Sequence, residues 1–180
     1  MILPVVIVTI DGSGPSVARD IDGANEVLGL ECGVWVDVVA SETIDRPDLL
    51  TLSQDDCTGV GHSVSAEEDA LFSFGRGRGA DVVGYYIGRS AASTSILGCA
   101  AHPTDRRGFW VKASTTDPYV LAHEAVHVVG RNFHVFGNTD NLMTPFSPGT
   151  NPPPDLDQSQ CERILDDPAL LSLDSIVLNL

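Results

Sequence analysis

The hydrophobic positions of this chain follow two patterns: continuous β-branched runs, and apolar residues at three- and four-residue steps. The run Ile2–Ile10 contains four consecutive branched residues, which is typical of a strand buried on both faces. After a turn marked by glycine and proline, the spacing of residues 16–28 predicts an amphipathic helix with Ser16 as its N-cap. A second β-branched run at residues 34–40 predicts another strand, so strand and helix alternate as in an α/β fold.

The alternation continues beyond a polar loop at residues 47–61. Ser65 and Glu68 have the spacing of a capping box and predict a short helix, which ends at the glycines of residues 75–79. The other predicted elements are strands at 80–88 and 108–113, a short edge strand at 96–101, a helix at 117–129, and short closing helices at 157–165 and 168–173. Two successive strand–helix–strand units favour a largely parallel sheet with right-handed crossovers.

Length, composition and charge narrow the class of protein. A chain of 180 residues corresponds to one domain, because about 100 to 200 residues usually form a single unit. Its 43% hydrophobic and 19% charged residues are those of a folded globular protein. The formal net charge of -15 repels phosphate groups, so nucleic acid is not an expected partner. No apolar run is long enough to predict a membrane span, and we expect a monomer.

Four cysteines, Cys32, Cys57, Cys99 and Cys161, are spaced too widely for a zinc knuckle. An even number of cysteines in an acidic chain favours export and two disulfides, although the spacing does not choose among the three possible pairings. Four buried free thiols are the alternative. We therefore expect a secreted or extracellular protein whose leader is absent from this chain.

The segment from His123 to His127 indicates a metal site. The two histidines are one helical turn apart, so both imidazoles project from the same face and can share one ion. Glu124 lies on the side where a metal-bound water would be. Zinc is the expected cofactor, at one ion per chain, because it accepts neutral imidazoles and lowers the pKa of bound water toward about 7.

The residues after this helix extend the pattern. Gly130 stands three residues after His127, where the helix must end and the chain must turn in the left-handed conformation that glycine tolerates best. His134 follows the turn, and thus three of the five histidines lie within twelve residues. Met143 comes nine residues later and precedes a turn marked by Pro145.

At this point the chain resembles the metzincin clan of zinc metalloproteases, whose signature is His-Glu-x-x-His-x-x-Gly-x-x-His followed by a methionine-containing turn. The resemblance implies that the zinc ligands are His123, His127 and His134. It also implies that Glu124 is the general base and that Met143 belongs to the Met-turn.

The resemblance further implies an α/β fold of the α+β kind: a twisted five-stranded mixed sheet with an antiparallel edge strand, two main helices and a small irregular C-terminal subdomain. The single catalytic domain 1–180 would then divide into an upper subdomain at 1–130 and a lower one at 131–180. In the family, an extended substrate pairs with the edge strand, so the resemblance assigns substrate binding to Gly98, Cys99 and Ala100.

One residue separates this chain from the family pattern. Three residues stand between Gly130 and His134 where the signature has two, so the literal third-ligand position is Phe133, which cannot bind zinc. Either the turn carries one extra residue and His134 still reaches the ion, or Asp140 replaces it. Pro145 also occupies the position two residues after Met143 where some members have a tyrosine.

We therefore expect a zinc-dependent endopeptidase in which Glu124 assists the attack of a zinc-bound water on a peptide or protein substrate. A binding or adhesion module with non-catalytic zinc, and a zinc hydrolase of a non-peptide amide, are the alternatives. His62 and His102 are interpreted as surface loop residues. Calcium is not expected, because the acidic residues near the C-terminus lack a known loop spacing.

Overall fold

A computed structural model describes residues 1–53, 57, 64–91, 95–145 and 153–172. The strands are β1 (Ile2–Ile10), β2 (Trp35–Ile44), β3 (Thr51–Leu52), β4 (Val82–Ile87), β5 (Arg89–Ser90), β6 (Gly98–Cys99) and β7 (Gly108–Lys112). The helices are α1 (Val17–Cys32), α2 (Ala66–Leu71), α3 (Val120–Val128) and α4 (Gln158–Leu165), and a short 3-10 turn covers Pro47–Leu49.

The main sheet has five strands in the order β2-β1-β4-β7-β6. The first four are parallel neighbours, whereas β6 pairs antiparallel with β7 and ends the sheet. The predicted fold class, a mixed five-stranded α/β sheet with an antiparallel edge strand, is therefore confirmed. β3 and β5 form a separate two-stranded sheet that the sequence pattern did not predict.

Helices and loops cover both faces of the sheet, and β1 contributes to both cores because strand residues alternate between faces. Val5 and Ile7 enter the core that also contains α1 and α3, whereas Val6 and Val8 enter the core that contains Leu71 of α2. The continuous β-branched run of β1 is thus explained by its burial on both sides.

A close contact fixes where α3 begins relative to α1. Gly23 of α1 lies against the residue that leads into α3: a Cβ at Gly23 would lie 2.5 Å from the carbonyl oxygen of Pro118. Asp117 accepts a hydrogen bond from the backbone of Tyr119 at 2.9 Å in the turn before α3, and the helix starts at Val120, three residues later than predicted.

Other elements also differ from the prediction, since α1 continues to Cys32 and β2 to Ile44, each four residues beyond the predicted end. The edge strand is limited to Gly98–Cys99, because only this part of residues 96–101 pairs as a strand with β7. The predicted helix at 168–173 was wrong over its described residues, since Leu171 instead forms a bridge with Ile2; residue 173 lies outside the described residues. Ser16 does precede α1, but its side chain makes no capping hydrogen bond.

All four cysteines are paired, as Cys32–Cys161 and Cys57–Cys99, so the alternative of four free thiols is wrong. The first disulfide joins the end of α1 to α4 across 129 residues of sequence, and the second joins the edge strand β6 to the loop that contains Cys57. No helix among the described residues is both long and apolar enough to cross a membrane.

We predict that replacing Cys32 and Cys161 together by alanine lowers the free energy of unfolding by about 2 to 5 kcal/mol, because the disulfide closes a long loop. Urea unfolding monitored by circular dichroism measures this loss. The matched control replaces Cys57 and Cys99, which are 42 residues apart; because this loop is shorter, its loss should be smaller by about 1 kcal/mol. Equal stability of the Cys32 and Cys161 variant and the wild type would contradict the prediction.

Candidate metal centre

The imidazoles of His123, His127 and His134 converge on one point. His123 and His127 lie one turn apart on α3, and His134 is brought to them by the segment that returns after the helix. Their Nε2 atoms are 3.2 Å (His123 to His127), 3.2 Å (His123 to His134) and 3.1 Å (His127 to His134) apart. The structure thus brings together the three histidines that the sequence indicated.

Two backbone carbonyls determine how these rings present their nitrogens. The Nδ1 atoms of His123 and His127 lie 2.6 Å from the carbonyl oxygens of Leu142 and Asn132, respectively. A carbonyl oxygen only accepts, so each Nδ1 carries the proton and each Nε2 presents its lone pair. Two lone pairs therefore point toward the third imidazole, an arrangement that a cation stabilises.

This donor set fits zinc. Imidazole nitrogens at about 2.0 to 2.1 Å from a tetrahedral zinc ion are about 3.3 to 3.4 Å from one another, close to the observed separations. Hydrogen bonds from the non-ligating nitrogens to carbonyl oxygens are also typical of zinc-bound histidines. His123, His127 and His134 would hold the ion.

The turn after α3 accommodates the extra residue between Gly130 and His134. Gly130 and Arg131 both adopt left-handed conformations, with φ of 73° and 49°. Gly130 also packs against α4 so closely that a Cβ would lie 2.8 Å from the backbone of Arg163 and Ile164. As a result, Phe133 is exposed to solvent and His134 reaches the other two imidazoles.

Asp140, the alternative third ligand, does not join the histidine group. Its backbone carbonyl accepts a hydrogen bond from Asp155 at 2.7 Å, while its Oδ1 atom is buried without a hydrogen-bond partner. The geometry therefore favours His134 over Asp140 as the third ligand.

Met143 lies in a buried turn that contacts both parts of the histidine group. The carbonyl of the preceding Leu142 accepts from His123, and the carbonyl of Met143 accepts from the backbone of Val135 at 2.9 Å. Since Val135 follows His134, the turn holds the third imidazole close to α3. The Met143 side chain is fully buried in the core that includes α3.

A buried amide pair between Asn141 and Gln160 supports this turn from α4. The Asn141 Nδ2 donates to Gln160 at 2.9 Å, and the Gln160 Nε2 donates back at 3.1 Å. Asn141 also accepts from the backbone of Met143, while Gln160 completes the capping box of α4 with Asp157. The turn and the helix therefore depend on each other.

The other carbonyl partner, that of Asn132, is also held by α4. The Asn132 side chain is fully buried, accepts from Arg163 at 2.7 Å and donates to the carbonyl oxygen of Gln160 at 3.4 Å. Sequence reasoning did not identify Asn132, Asn141 or Gln160. The Asp157 and Gln160 capping spacing was visible in the sequence, but it indicates only a helix start.

Acidic residues near the C-terminus have structural partners. Asp157 caps α4, and Asp167 accepts from Arg107 at 2.7 Å and from the backbone of Gly130 at 3.1 Å. His102 is half-buried in a loop, whereas His62 lies outside the described residues.

Glu124 is buried beside the histidines and lies against Gly98 of the edge strand. A Cβ at Gly98 would lie 2.7 Å from the Cγ of Glu124 and 2.8 Å from its Oε1, so only glycine leaves room for this side chain. Burial alone raises the pKa of Glu124 to about 8. Burial also lowers the pKa of His123 to about 4 and of His127 to about 3, and lowers that of His134.

A cleft runs on both sides of the histidine group. One cavity of about 310 Å³ and another of about 370 Å³ share Gly98, Glu124 and His134 in their walls. Cys99 and Ala100 line only the first of them. The three residues expected to bind substrate therefore all lie on the cleft.

Comparisons with known proteins agree with this architecture. The fold matches metalloproteinase-II from Bacteroides fragilis with a TM-score of 0.67 and 17% sequence identity, covering 92% of this chain and 52% of that one. The chain therefore shares the fold of that metalloproteinase. It spans about half the length of the Bacteroides protein.

Two other solved structures are similar. One, described as a chaperone–substrate complex, matches with a TM-score of 0.54 and 11% identity over 92% of this chain and 34% of that one. The archaemetzincin of Methanopyrus kandleri matches with a TM-score of 0.45 and 18% identity over 98% of this chain and 93% of that one. No family model matches the sequence, and no curated protein is significantly similar to it.

We predict that His134→Ala strongly reduces zinc affinity, whereas Asp140→Ala retains one zinc per chain. Removing one of three imidazole ligands weakens the site, while Asp140 lies outside the histidine group. Elemental analysis after dialysis and a competitive chelator titration measure the stoichiometry and affinity. Unchanged zinc affinity in His134→Ala together with metal loss in Asp140→Ala would contradict the proposed third ligand.

We predict that the chelator-treated, metal-free protein loses stability as the pH rises from 6.5 to 8. Over this range the folded protein retains the proton of Glu124, whose pKa is about 8, while the unfolded chain does not. The free energy of unfolding should fall by up to about 1.4 kcal/mol per pH unit.

His123 and His127 have the opposite effect at lower pH. Their folded pKa values lie below the ordinary 6.5, so the unfolded chain binds more protons and stability falls as the pH drops from 6.5 toward 4. Urea unfolding as a function of pH measures the change in the free energy of unfolding both above and below pH 6.5. Glu124→Gln should flatten the fall in stability above pH 6.5 and steepen the fall below it, because Glu124 opposes the histidines down to its ordinary pKa of 4.5. An unchanged slope above pH 6.5 in that variant would show that another group titrates there.

Proposed function

We propose that the chain is a zinc-dependent endopeptidase. The proposal is carried by the position of Glu124, a buried carboxyl beside three converging imidazoles, at the junction of two cavities. The metzincin-like fold, shared with a protein named as a metalloproteinase, supports a zinc hydrolase.

When bound by the histidines, zinc would supply Lewis-acid chemistry, polarising a carbonyl and lowering the pKa of a water molecule. Glu124 accepts the proton of the water that attacks the scissile carbonyl carbon, and then donates this proton to the leaving nitrogen as the C–N bond breaks. In the metal-free protein, burial raises the pKa of Glu124 to about 8, so this carboxyl readily holds a proton. Gly98 keeps the space that the carboxyl needs.

The edge strand β6 gives the reason for preferring a peptide substrate. β6 pairs with β7 on one side and ends the five-stranded sheet, and no strand among the described residues pairs with its other side, where an extended chain could add. Gly98 and Cys99 lie on this strand, and the cavities extend to either side of Glu124. An extended peptide along β6 would pass the candidate metal centre on both sides, as endopeptidase cleavage requires.

Two alternatives make different demands on Glu124. A module with non-catalytic zinc gains nothing from a carboxyl beside an open coordination position, whereas Glu124 lies beside the three imidazoles in the walls of both cavities. A hydrolase of a non-peptide amide would use Glu124 in the same way but would not need the free edge of β6. The position of Glu124 and the edge of β6 therefore both favour the hydrolysis of a peptide substrate.

We further propose that residues 1–180 act as one catalytic domain, with upper and lower parts that meet after residue 130. The two disulfides are typical of proteins from oxidising compartments, which supports an extracellular site of action. We also propose that each chain binds a single zinc ion and that the protein is a monomer.

We predict that Glu124→Gln keeps its zinc and its fold while peptide cleavage falls by at least about a hundredfold, since a general base contributes about 10² to 10⁴ in rate. Cleavage of a fluorogenic peptide library and of a denatured protein, with zinc content measured in parallel, tests this. Glu162→Gln, which removes an exposed carboxylate of α4, is the matched control and should cleave like the wild type. Cleavage by Glu124→Gln at the wild-type rate would refute the role of Glu124.

A further inference from the structure

Two exposed phenylalanines flank His134 at the mouth of the cleft. Phe133 is 72% exposed and Phe136 is 77% exposed, which makes Phe136 the most exposed large apolar side chain among the described residues. The ring of Phe136 lies edge-on to the imidazole of His134, with 6.4 Å between the ring centroids. Two such rings beside a candidate reactive centre form an apolar patch, which is typical of a binding surface.

Both phenylalanines line the cavity of about 310 Å³ that also contains Glu124 and His134. The opposite wall is formed by β6 and the residues after it, including the small, buried side chains of Ala100 and Ala101. Apart from the candidate catalytic and metal-binding residues, no charged side chain of the described part of the chain lines this cavity. Its volume lies at the lower end of the range for ligand pockets.

The second cavity, on the other side of the histidine group, has a different character. Its walls include the side chains of Asp117, Tyr119 and Thr144, which carry polar groups. Apolar side chains, among them Leu97 and Val120, also line this second cavity. What distinguishes the first cavity is its pair of exposed aromatic rings and the absence of an acidic side chain other than Glu124 from the described part of its walls.

We propose that Phe133 and Phe136 form an aromatic subsite that binds a large apolar side chain, aromatic or long aliphatic, of the residue next to the scissile bond. This inference rests on the proposed peptidase function and names its substrate class. An apolar side chain seated between the rings and Ala100 would remove both phenyl surfaces from water, and an aromatic one would gain ring contacts. A charged side chain would lose its hydration there without finding a partner.

Peptides that differ only in the two residues flanking one central bond test the subsite. Each flanking position carries phenylalanine, leucine, alanine, lysine or aspartate in turn. The wild type should cleave the phenylalanine and leucine peptides with the highest kcat/KM at one of the two positions. Combining Phe133→Ala with Phe136→Ala should lower kcat/KM for the phenylalanine peptide by at least about tenfold and change that of the alanine peptide by less than about twofold.

Two controls separate binding from structural effects. Leu30→Ala removes an apolar side chain of α1 that is also 72% exposed but lies outside both cavities, and it should leave the preference unchanged. Zinc content must stay at the wild-type level in the double variant, and Phe136→Leu should retain part of the preference. An equal loss of kcat/KM for all peptides in the double variant would overturn the subsite and assign the rings a positioning role.

A binding measurement distinguishes failure of the subsite from failure of the peptidase proposal. If the wild type cleaves no peptide, the proposed function fails, and the zinc-loaded Glu124→Gln protein is titrated with the phenylalanine and alanine peptides. Tighter binding of the phenylalanine peptide, lost when Phe133→Ala and Phe136→Ala are added, supports the subsite. Equal affinity for the two peptides, or no binding of either, overturns it.

Discussion

The candidate metal centre depends on two backbone carbonyls, those of Asn132 and Leu142, that accept the Nδ1 protons of the α3 histidines at 2.6 Å. Without these hydrogen bonds, either nitrogen of each ring could carry the proton and the rings could rotate. With them, the ring orientation and the tautomer are both determined before any ion arrives. Both carbonyls belong to the chain after α3, so the site exists only when that segment has folded back beneath the helix.

α4 holds this returning segment in place although it has only eight residues. Gln160 binds Asn141 through two amide hydrogen bonds, and Arg163 binds the side chain of Asn132. Because the side chains of Asn132, Asn141 and Gln160 are buried, loss of a partner would leave a buried polar atom without its hydrogen bond. Cys161 in the same helix joins α1, so the N-terminal helix and the Met143 turn are connected through one short element.

The stability of the fold and the role that we propose for Glu124 make opposing demands at β6. Burial favours the neutral form of this carboxyl and raises its pKa to about 8, so its ionised form is disfavoured in the metal-free folded protein. Gly98 gives up side-chain packing in the edge strand to make room for the same carboxyl. A buried carboxyl and a glycine within a strand are both unfavourable for stability. Their occurrence side by side is typical of a functional site on an otherwise regular scaffold.

The pattern of residues along the sequence by itself predicted most helices and strands and the pair of histidines one turn apart. β1 is predictable because a continuous β-branched run suits burial on both faces, and the one-turn separation of His123 and His127 follows from helix geometry alone. The same holds for the capping box of Ser65 and Glu68, which the structure contains with both hydrogen bonds. These features depend on residues within a few positions of one another.

Contacts between residues that are distant in the sequence could be determined only from the tertiary structure. The position of His134 beside the two α3 histidines depends on two successive left-handed residues and on the contact of Gly130 with α4, neither of which local spacing specifies. The disulfide pairing, the Asn141 and Gln160 amide pair, and the exposure of Phe133 and Phe136 at the cleft likewise depend on where distant segments meet. Such contacts depend on the path of the chain between the elements, which periodicity leaves undetermined.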